Sequence, residues 1–228
     1  MTNQNEAIAI LGGTGDQGLG LALRFAKAGR PVVIGSRKLD RAVHAAEEVG
    51  AAVPGATVSG YLNEEATKRA GIVILSVPFE HTAATVKGIK DALSGGQILV
   101  SMAVPLATAV GDGAVRTLGI WQGSCAEMVK SLAPKDVEVV SAFQNVSAHR
   151  LQDLENPVDC DIVVSGPKQA RQSVIALCGL IPGLRGLDGG ALSNAKIVEE
   201  MTALMIGINI RYKLPEGVGV RFTGLPEA

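Results

Sequence analysis

The sequence predicts an α/β protein, a doubly wound parallel sheet with a smaller C-terminal α/β domain. Three observations point there. Short apolar runs alternate with helical patterns up to about residue 140. Most of these runs lack period-two alternation, as parallel strands covered on both faces do. Hydrophobic residues make up 47 % of the 228 but aromatics only 3 %, with 28 glycines, so the core is Ala, Val, Ile and Leu in tightly packed βα units.

Strands are expected at 7–11, 31–34, 57–60, 72–77 and 98–102, and helices near 18–28, 39–49, 63–70, 81–93 and 124–132. The first helix stops at "AGRP", where Gly29 suits a left-handed position and Pro31 cannot continue the helix. Asn63 is the expected N-cap of the third helix, with Glu64 and Glu65 facing its positive end. Past residue 140 the rhythm changes. "VEVVSAF" and "DIVVSG" read as strands, 169–180 as a helix and "LRGLDGG" as a strand-to-loop exit. A long final helix begins at Ser193, and Ile197, Met201, Leu204, Met205 and Ile208 fall on one apolar stripe, read as core or dimer contact. No repeat or low-complexity linker separates the parts, so 141–228 is expected to pack directly on 1–140.

Composition narrows the function. A net charge of −1 speaks against nucleic acid. Cys125, Cys160 and Cys178 have neither zinc nor redox spacing, and His44, His81 and His149 are scattered, so no metal site is expected. The N-terminus lacks a signal-peptide pattern, and no apolar run nears the roughly 18 residues a membrane span needs. A soluble cytoplasmic protein is expected.

"AIAILGGTGDQGLG" places Gly13, Gly15 and Gly18 as G-x-G-x-x-G between the first strand and the first helix. In a Rossmann-type unit the first glycine allows the turn and the second lets backbone approach a pyrophosphate. The third lets helix pack on strand. Asp16, inside the loop, is expected at the helix start, pointing away from the phosphates. The end of the second strand selects the nucleotide. "VVIGSRKLDRA" puts Ser36 where an NAD site carries an acid, followed by Arg37, Lys38 and, one turn on, Arg41. A hydroxyl and cations bind a 2′-phosphate that a carboxylate would repel, so the nucleotide is NADP(H).

A proton-handling constellation is missing. The Tyr-x-x-x-Lys pair of short-chain dehydrogenases is absent, because Tyr61 and Tyr212 are followed by Glu65 and Glu216. His81, in "VPFEHT", either lines a nicotinamide pocket or caps a helix; Glu80 reads as a first-turn helix residue. His149 and Arg150 read as exposed, with Arg150 a candidate partner for an anionic substrate. Pro78 and Pro105 end "LSVP" and "SMAVP", two strand ends that should border one crevice. A protein that passes hydride between two carrier rings needs no dedicated acid or base, only an apolar slot with a few polar anchors.

Nearly end to end, the chain resembles the NADPH-dependent coenzyme F420 reductases, the F420H2:NADP oxidoreductases. The resemblance rests on "ILGGTGDQGLGLALRFAKAG", "VVIGSRKLDRA", "VILSVPFEHT", "VVSAFQNVSA", "DCDIVVSG" and "LRGLDGGALSNAKIVEEMTALMIGIN". It implies that residues 1–140 bind NADP(H) and that 141–228 close a cleft over the deazaflavin, coenzyme F420. By position, Gly13, Thr14, Gly15, Asp16, Gln17, Gly18, Ser36, Arg37, Lys38 and Arg41 would hold the nucleotide. Val77, Pro78, His81, Met102, Ala103 and Val104 would lie near the rings, and Asn145, Val146, Ser193 and Asn194 would face the deazaflavin. His81, Gln144 and Ser193 are the ring-positioning candidates. Relatives often carry His or Asn where this chain has Gln144, which cannot carry a proton at neutral pH. Ser193 has a second reading as N-cap of the final helix. Two other functions fit the same architecture, a reductase of imines or flavins and a non-catalytic NADPH-sensing module. A homodimer is expected.

Overall fold

The computed structural model describes residues 6–225. Six parallel strands form the main sheet in the order β3-β2-β1-β4-β5-β6. They are β1 (Ile8–Leu11), β2 (Val32–Ser36), β3 (Val58–Leu62), β4 (Ile72–Leu75), β5 (Ile98–Ser101) and β6 (Glu138–Ser141). Helices α1 (Asp16–Lys27), α2 (Leu39–Ala52), α3 (Asn63–Lys68), α4 (Phe79–Ile89) and α5 (Cys125–Leu132) make the crossovers. The order reverses beside β1, whose Ile8 pairs with Val32 on one side and Ile72 on the other. In open α/β sheets that reversal leaves a crevice at the carboxyl ends of the strands, where ligands bind.

Strands β1, β2, β4 and β5 are buried at every residue, which explains the missing alternation. Their apolar side chains feed two cores, one on each face. Ile10, Phe25, Ile34 and Val140 belong to the first, and Leu11, Leu75, Leu99 and Val139 to the second.

Several boundaries differ from the sequence expectation. β2 and β3 each run two residues further, pairing Ser36 with Leu62. That pairing carries β3 directly into α3, so Leu62 occupies the N-cap position and Asn63 is the first helical residue. The expected cap at Asn63 is therefore corrected, and its Oδ1 is buried without a partner. β4 stops at Leu75, and Ser76–Pro78 turn toward the crevice because Pro78 has no N–H for a ladder. Gly29 does adopt the expected left-handed conformation, with φ +77°.

The C-terminal part adds α6 (Ala148–Gln152), β7 (Cys160–Val164), α7 (Lys168–Cys178), β8 (Leu184–Asp188) and α8 (Ala195–Tyr212). β7 and β8 pair in parallel, so "LRGLDGG" is a full strand before its glycine exit. The first core continues into this part through Phe143, Leu151, Ile162 and Val174. Arg24, 3 % exposed on α1, donates to the carbonyls of Leu151 (2.8 Å), Arg150 (2.7 Å), Asn156 (2.8 Å) and Asp153. Burial lowers its pKa, but four carbonyl partners replace its lost hydration.

Ser193 does not cap the final helix. It lies in a 3-10 turn, Leu192–Asn194, and α8 starts at Ala195. The expected apolar stripe is also rotated. Ala195, Val198, Glu199 and Met205 are buried, whereas Ile197 and Leu204 are 68 % and 64 % exposed. A packed helix buries the face its neighbours touch, and here Glu199 turns toward α5.

After α8 the chain doubles back as a strap over 214–225. Its Val220 carbonyl accepts from Asp161 N (2.7 Å), and its Phe222 N donates to Asp161 Oδ2 (2.7 Å). Asp161 is fully buried and also receives Arg185 (2.7 Å) and Arg221 (2.6 Å). Among the described residues no helix is long and apolar enough to cross a membrane.

Candidate cofactor site

A cavity of about 890 Å³ opens at the carboxyl ends of β1, β4 and β5. One wall is the glycine loop and strand ends: Gly15, Asp16 and Gln17, then Val77 and Pro78, then Met102, Ala103 and Val104. The opposite wall is Gln144, Asn145 and Val146, with Thr202, Met205, Ile206 and Asn209 from α8 and Leu214, Pro215, Gly217 and Val218 from the strap. Such a volume suits a large organic ligand.

The glycines divide the work differently from the expected pattern. The positive φ of +80° belongs to Gly12, just outside the triplet, and a side chain there would strike the Ser76 carbonyl. Gly13 turns back tightly, its N donating to Ile10 O at 3.2 Å. At Gly18 a Cβ would stand 2.7 Å from Gly12 O, so helix and loop touch backbone to backbone. At Gly15 the nearest atom to a Cβ is 3.6 Å away. The protein itself would tolerate a side chain at Gly15, and the bareness there faces the cavity. Asp16 is exposed in the first turn of α1, as expected, and lines the cavity edge.

Ser36 ends β2 at 7 % exposure, its Oγ accepting from Lys38 N at 3.3 Å. Arg37, Lys38 and Arg41 are exposed beyond it, and among the described residues none forms an ion pair. This basic edge lies outside the lining of the large cavity, at the same sheet end as the glycine loop, since Gly12 N donates to Gly35 O at 3.0 Å. Thr14 is exposed on the loop.

Of the ring-positioning candidates only Gln144 lines the cavity. It is 4 % exposed, and Nε2 donates to Ser141 Oγ (2.5 Å) and Ser101 O (3.3 Å), which leaves Oε1 buried without a partner. Asn145 is similar: Nδ2 donates to Asp161 O (2.8 Å) and Oδ1 has no partner. His81 sits in the first turn of α4, outside the lining, and its N donates to Pro78 O at 2.9 Å. It makes no side-chain cap either. Ser193 and Asn194 also lie outside the lining, because the 3-10 turn holds Asn194 Nδ2 on Gly189 O at 2.7 Å.

Arg150 is committed elsewhere, with Nε on Gly217 O (2.9 Å) and an ion pair to Glu216 (3.7 Å). His149 is exposed, as expected, yet lines the cavity, as does Glu80. Sequence reasoning missed the whole strap wall. Its one signal, the glycines at 217 and 219, is too generic to read. Among the described residues no group of His, Cys, Asp and Glu could hold a metal ion.

Fold and site together define a Rossmann-type nucleotide-binding α/β protein, with residues after 140 lining the far wall of the cavity at its strand ends. A family profile described as "NADP oxidoreductase coenzyme F420-dependent" matches residues 7–105. The F420-dependent NADP reductase of Methanocaldococcus jannaschii is 48 % identical over 223 residues, covering 96 % of this chain and 98 % of that one. The enzyme of that name from Methanothermobacter marburgensis is 42 % identical over 224 residues, covering 96 % and 99 %. A crystal structure from Arthrobacter sp. FB24, provisionally described as an F420-dependent NADP-reductase, superposes with TM-score 0.79 at 21 % identity, covering 96 % of this chain and all of the other. That last likeness speaks to the fold alone. The chain belongs to the F420-dependent NADP reductase family.

Proposed function

We propose that the protein is an NADP-dependent oxidoreductase that passes hydride reversibly between NADP(H) and coenzyme F420. The observation that carries the reading is one cavity large enough for two rings, entered by the glycine loop and walled by the apolar strand ends and α8. Bound side by side, nicotinamide and deazaflavin supply the hydride donor and acceptor, so the protein contributes position rather than acid–base chemistry.

The residues present fit both groups. Gly15 offers bare backbone where a side chain would touch the protein only at ordinary contact distance, and the N-terminus of α1 favours a diphosphate. Ser36, Arg37, Lys38 and Arg41 hold the 2′-phosphate through charge-assisted hydrogen bonds. Val77, Pro78, Met102, Ala103 and Val104 make an apolar seat that keeps water from the reacting carbons. Gln144 Oε1 and Asn145 Oδ1, buried and unpartnered, accept from N–H groups of the bound rings. His81, Ser193 and Asn194 take no part in this assignment. The lobe after residue 140 acts as the closing domain. The reading extends to a cytoplasmic protein without nucleic-acid partners. A second copy packs on the exposed apolar face of α8, where Ile197, Leu204 and Ile210 project.

The test is to mix protein, NADPH and F420 and follow the deazaflavin absorbance band. Exchange in either direction supports the reading. Turnover of pyrroline carboxylate or free flavin with silence toward F420 would replace it by the imine or flavin reductase. Tight NADPH binding with no acceptor at all would leave a sensing module.

A further inference from the structure

Glu199 is 1 % exposed and lies on α8, one turn before Thr202. Its carboxylate reaches across to the start of α5, where Oε2 accepts from Cys125 N at 2.9 Å and Oε1 from Ala126 N at 3.2 Å. The next open amide is met locally, and the regular intrahelical ladder begins after it. Ser124 Oγ accepts from Glu127 N at 3.1 Å, and Ser124 O accepts from Met128 N at 3.0 Å. Three orphan donors of α5 are thereby paired, two of them by a residue 74 and 73 positions away. A negative charge at a helix N-terminus is favourable, and this one joins two elements as well.

The same helix carries part of the cofactor cavity wall. Thr202, Met205, Ile206 and Asn209 follow Glu199 on α8 and line the cavity. We infer that Glu199 is a positioning residue of the cofactor site: its cross-helix cap on α5 sets where α8 holds that wall. The assignment rests on the proposed function, because it concerns the same cavity.

The cap is sensitive to protonation. Burial raises the Glu199 carboxyl to about 7, against the opposing hydrogen bonds from Cys125 and Ala126, and Glu127 pushes in the same direction as burial. Cys125 and Glu127 face it from α5, and Lys196 and Glu200 flank it on α8 and share with it a small cavity of about 240 Å³. The loop residues lining that cavity carry no charge. A neutral acid has a donor where the ionised form had an acceptor, so one α5 amide loses its partner as pH falls through about 7.

The experiment measures KM and kcat for NADPH and F420 across the pH range spanning 7, on the full chain. The wild type should show a KM that rises as pH falls through about 7. Glu199→Gln, which cannot accept both amides, should raise KM ~10-fold with kcat within about twofold and flatten the pH dependence. Glu199→Asp, still an acid, should retain the inflection. Ser124→Ala removes the local half of the cap and should lower thermal stability with KM unchanged. Equal effects of Ser124→Ala and the Glu199 variants on KM, or an unaltered KM in Glu199→Gln, would overturn the inference. Should Glu199→Gln not fold, Glu199→Asp against Ser124→Ala makes the same comparison. Hydrogen exchange at the Cys125 and Ala126 amides reads the cap without turnover: protected amides in an inactive wild type would sink the proposed function and leave the cap standing.

Discussion

Gln17, in the first turn of the glycine-loop helix, donates Nε2 to both Phe143 O and Val146 O at 3.1 Å, partners 126 and 129 residues away. One amide thus ties the proposed phosphate-binding loop to the segment bearing Gln144 and Asn145 on the facing wall. The tie holds an unusual backbone, since Phe143 has φ +67° while its ring is fully buried, edge-on to Phe25 at 6.3 Å. A left-handed conformation at a bulky residue persists only where its surroundings over-determine it.

Gln17→Ala should therefore loosen both walls together. Two carbonyls lose their donor, at a cost of about 1–3 kcal/mol. Thermal unfolding should show the loss of stability, and titration should show weaker binding of both NADPH and F420. Weaker NADPH binding alone would mean the amide serves the nucleotide directly.

Gly15 and Gly18 should separate binding from folding. A methyl at Gly15 meets only Gly12 O at 3.6 Å, so Gly15→Ala should keep the wild-type melting temperature and lose most NADPH affinity. A methyl at Gly18 would stand 2.7 Å from Gly12 O and 2.8 Å from Gly13 Cα. Gly18→Ala should be destabilised by about 1–3 kcal/mol, the cost of overpacking. Calorimetry with and without NADPH distinguishes the two.

Arg37→Ala should weaken NADPH by about 10- to 100-fold, the worth of one or two charge-assisted hydrogen bonds, and leave NADH nearly unchanged. Fluorescence titration with both nucleotides checks it. Equal loss for both would place the 2′-phosphate elsewhere.

Asp161 should make the strap acid-labile. Burial alone would raise this carboxyl, but hydrogen bonds from Arg185, Phe222 N and Arg221 outweigh it and hold it at about 2. A depressed acid stabilises the fold above its unfolded value near 4, and that stability, about 2 kcal/mol, disappears as pH falls from 4 toward 2. Asp161→Asn should remove this pH dependence, free the strap and raise KM, because Leu214, Pro215, Gly217 and Val218 of the strap line the cavity. Acid titration followed by circular dichroism, together with steady-state kinetics, tests both halves.

Much of the fold was legible because its signals are local. The apolar runs that became β1, β2, β4 and β5 needed only their own residues to be read as strands. The glycine loop and "GSRK" were legible for the same reason, as spacing and charge along a few residues. Ser193 and the α8 stripe misled for the converse reason. A serine before a helical run resembles a cap, yet a 3-10 turn already filled that place, and nothing in the run says which face its neighbours will cover.

What the sequence by itself determined is the βα alternation, the bare turn after β1 and the basic edge after β2, each written in neighbouring residues. Tertiary structure decided the rest: Gln17 turned to the facing loop, Arg24 on four distant carbonyls, Asp161 accepting from the Phe222 amide of the strap and Glu199 capping α5. The reason is physical. A buried polar group must find partners, and when those partners are backbone atoms scores of residues away, any side chain at the partner's position offers the same carbonyl or amide, so the pairing leaves no residue signature to read.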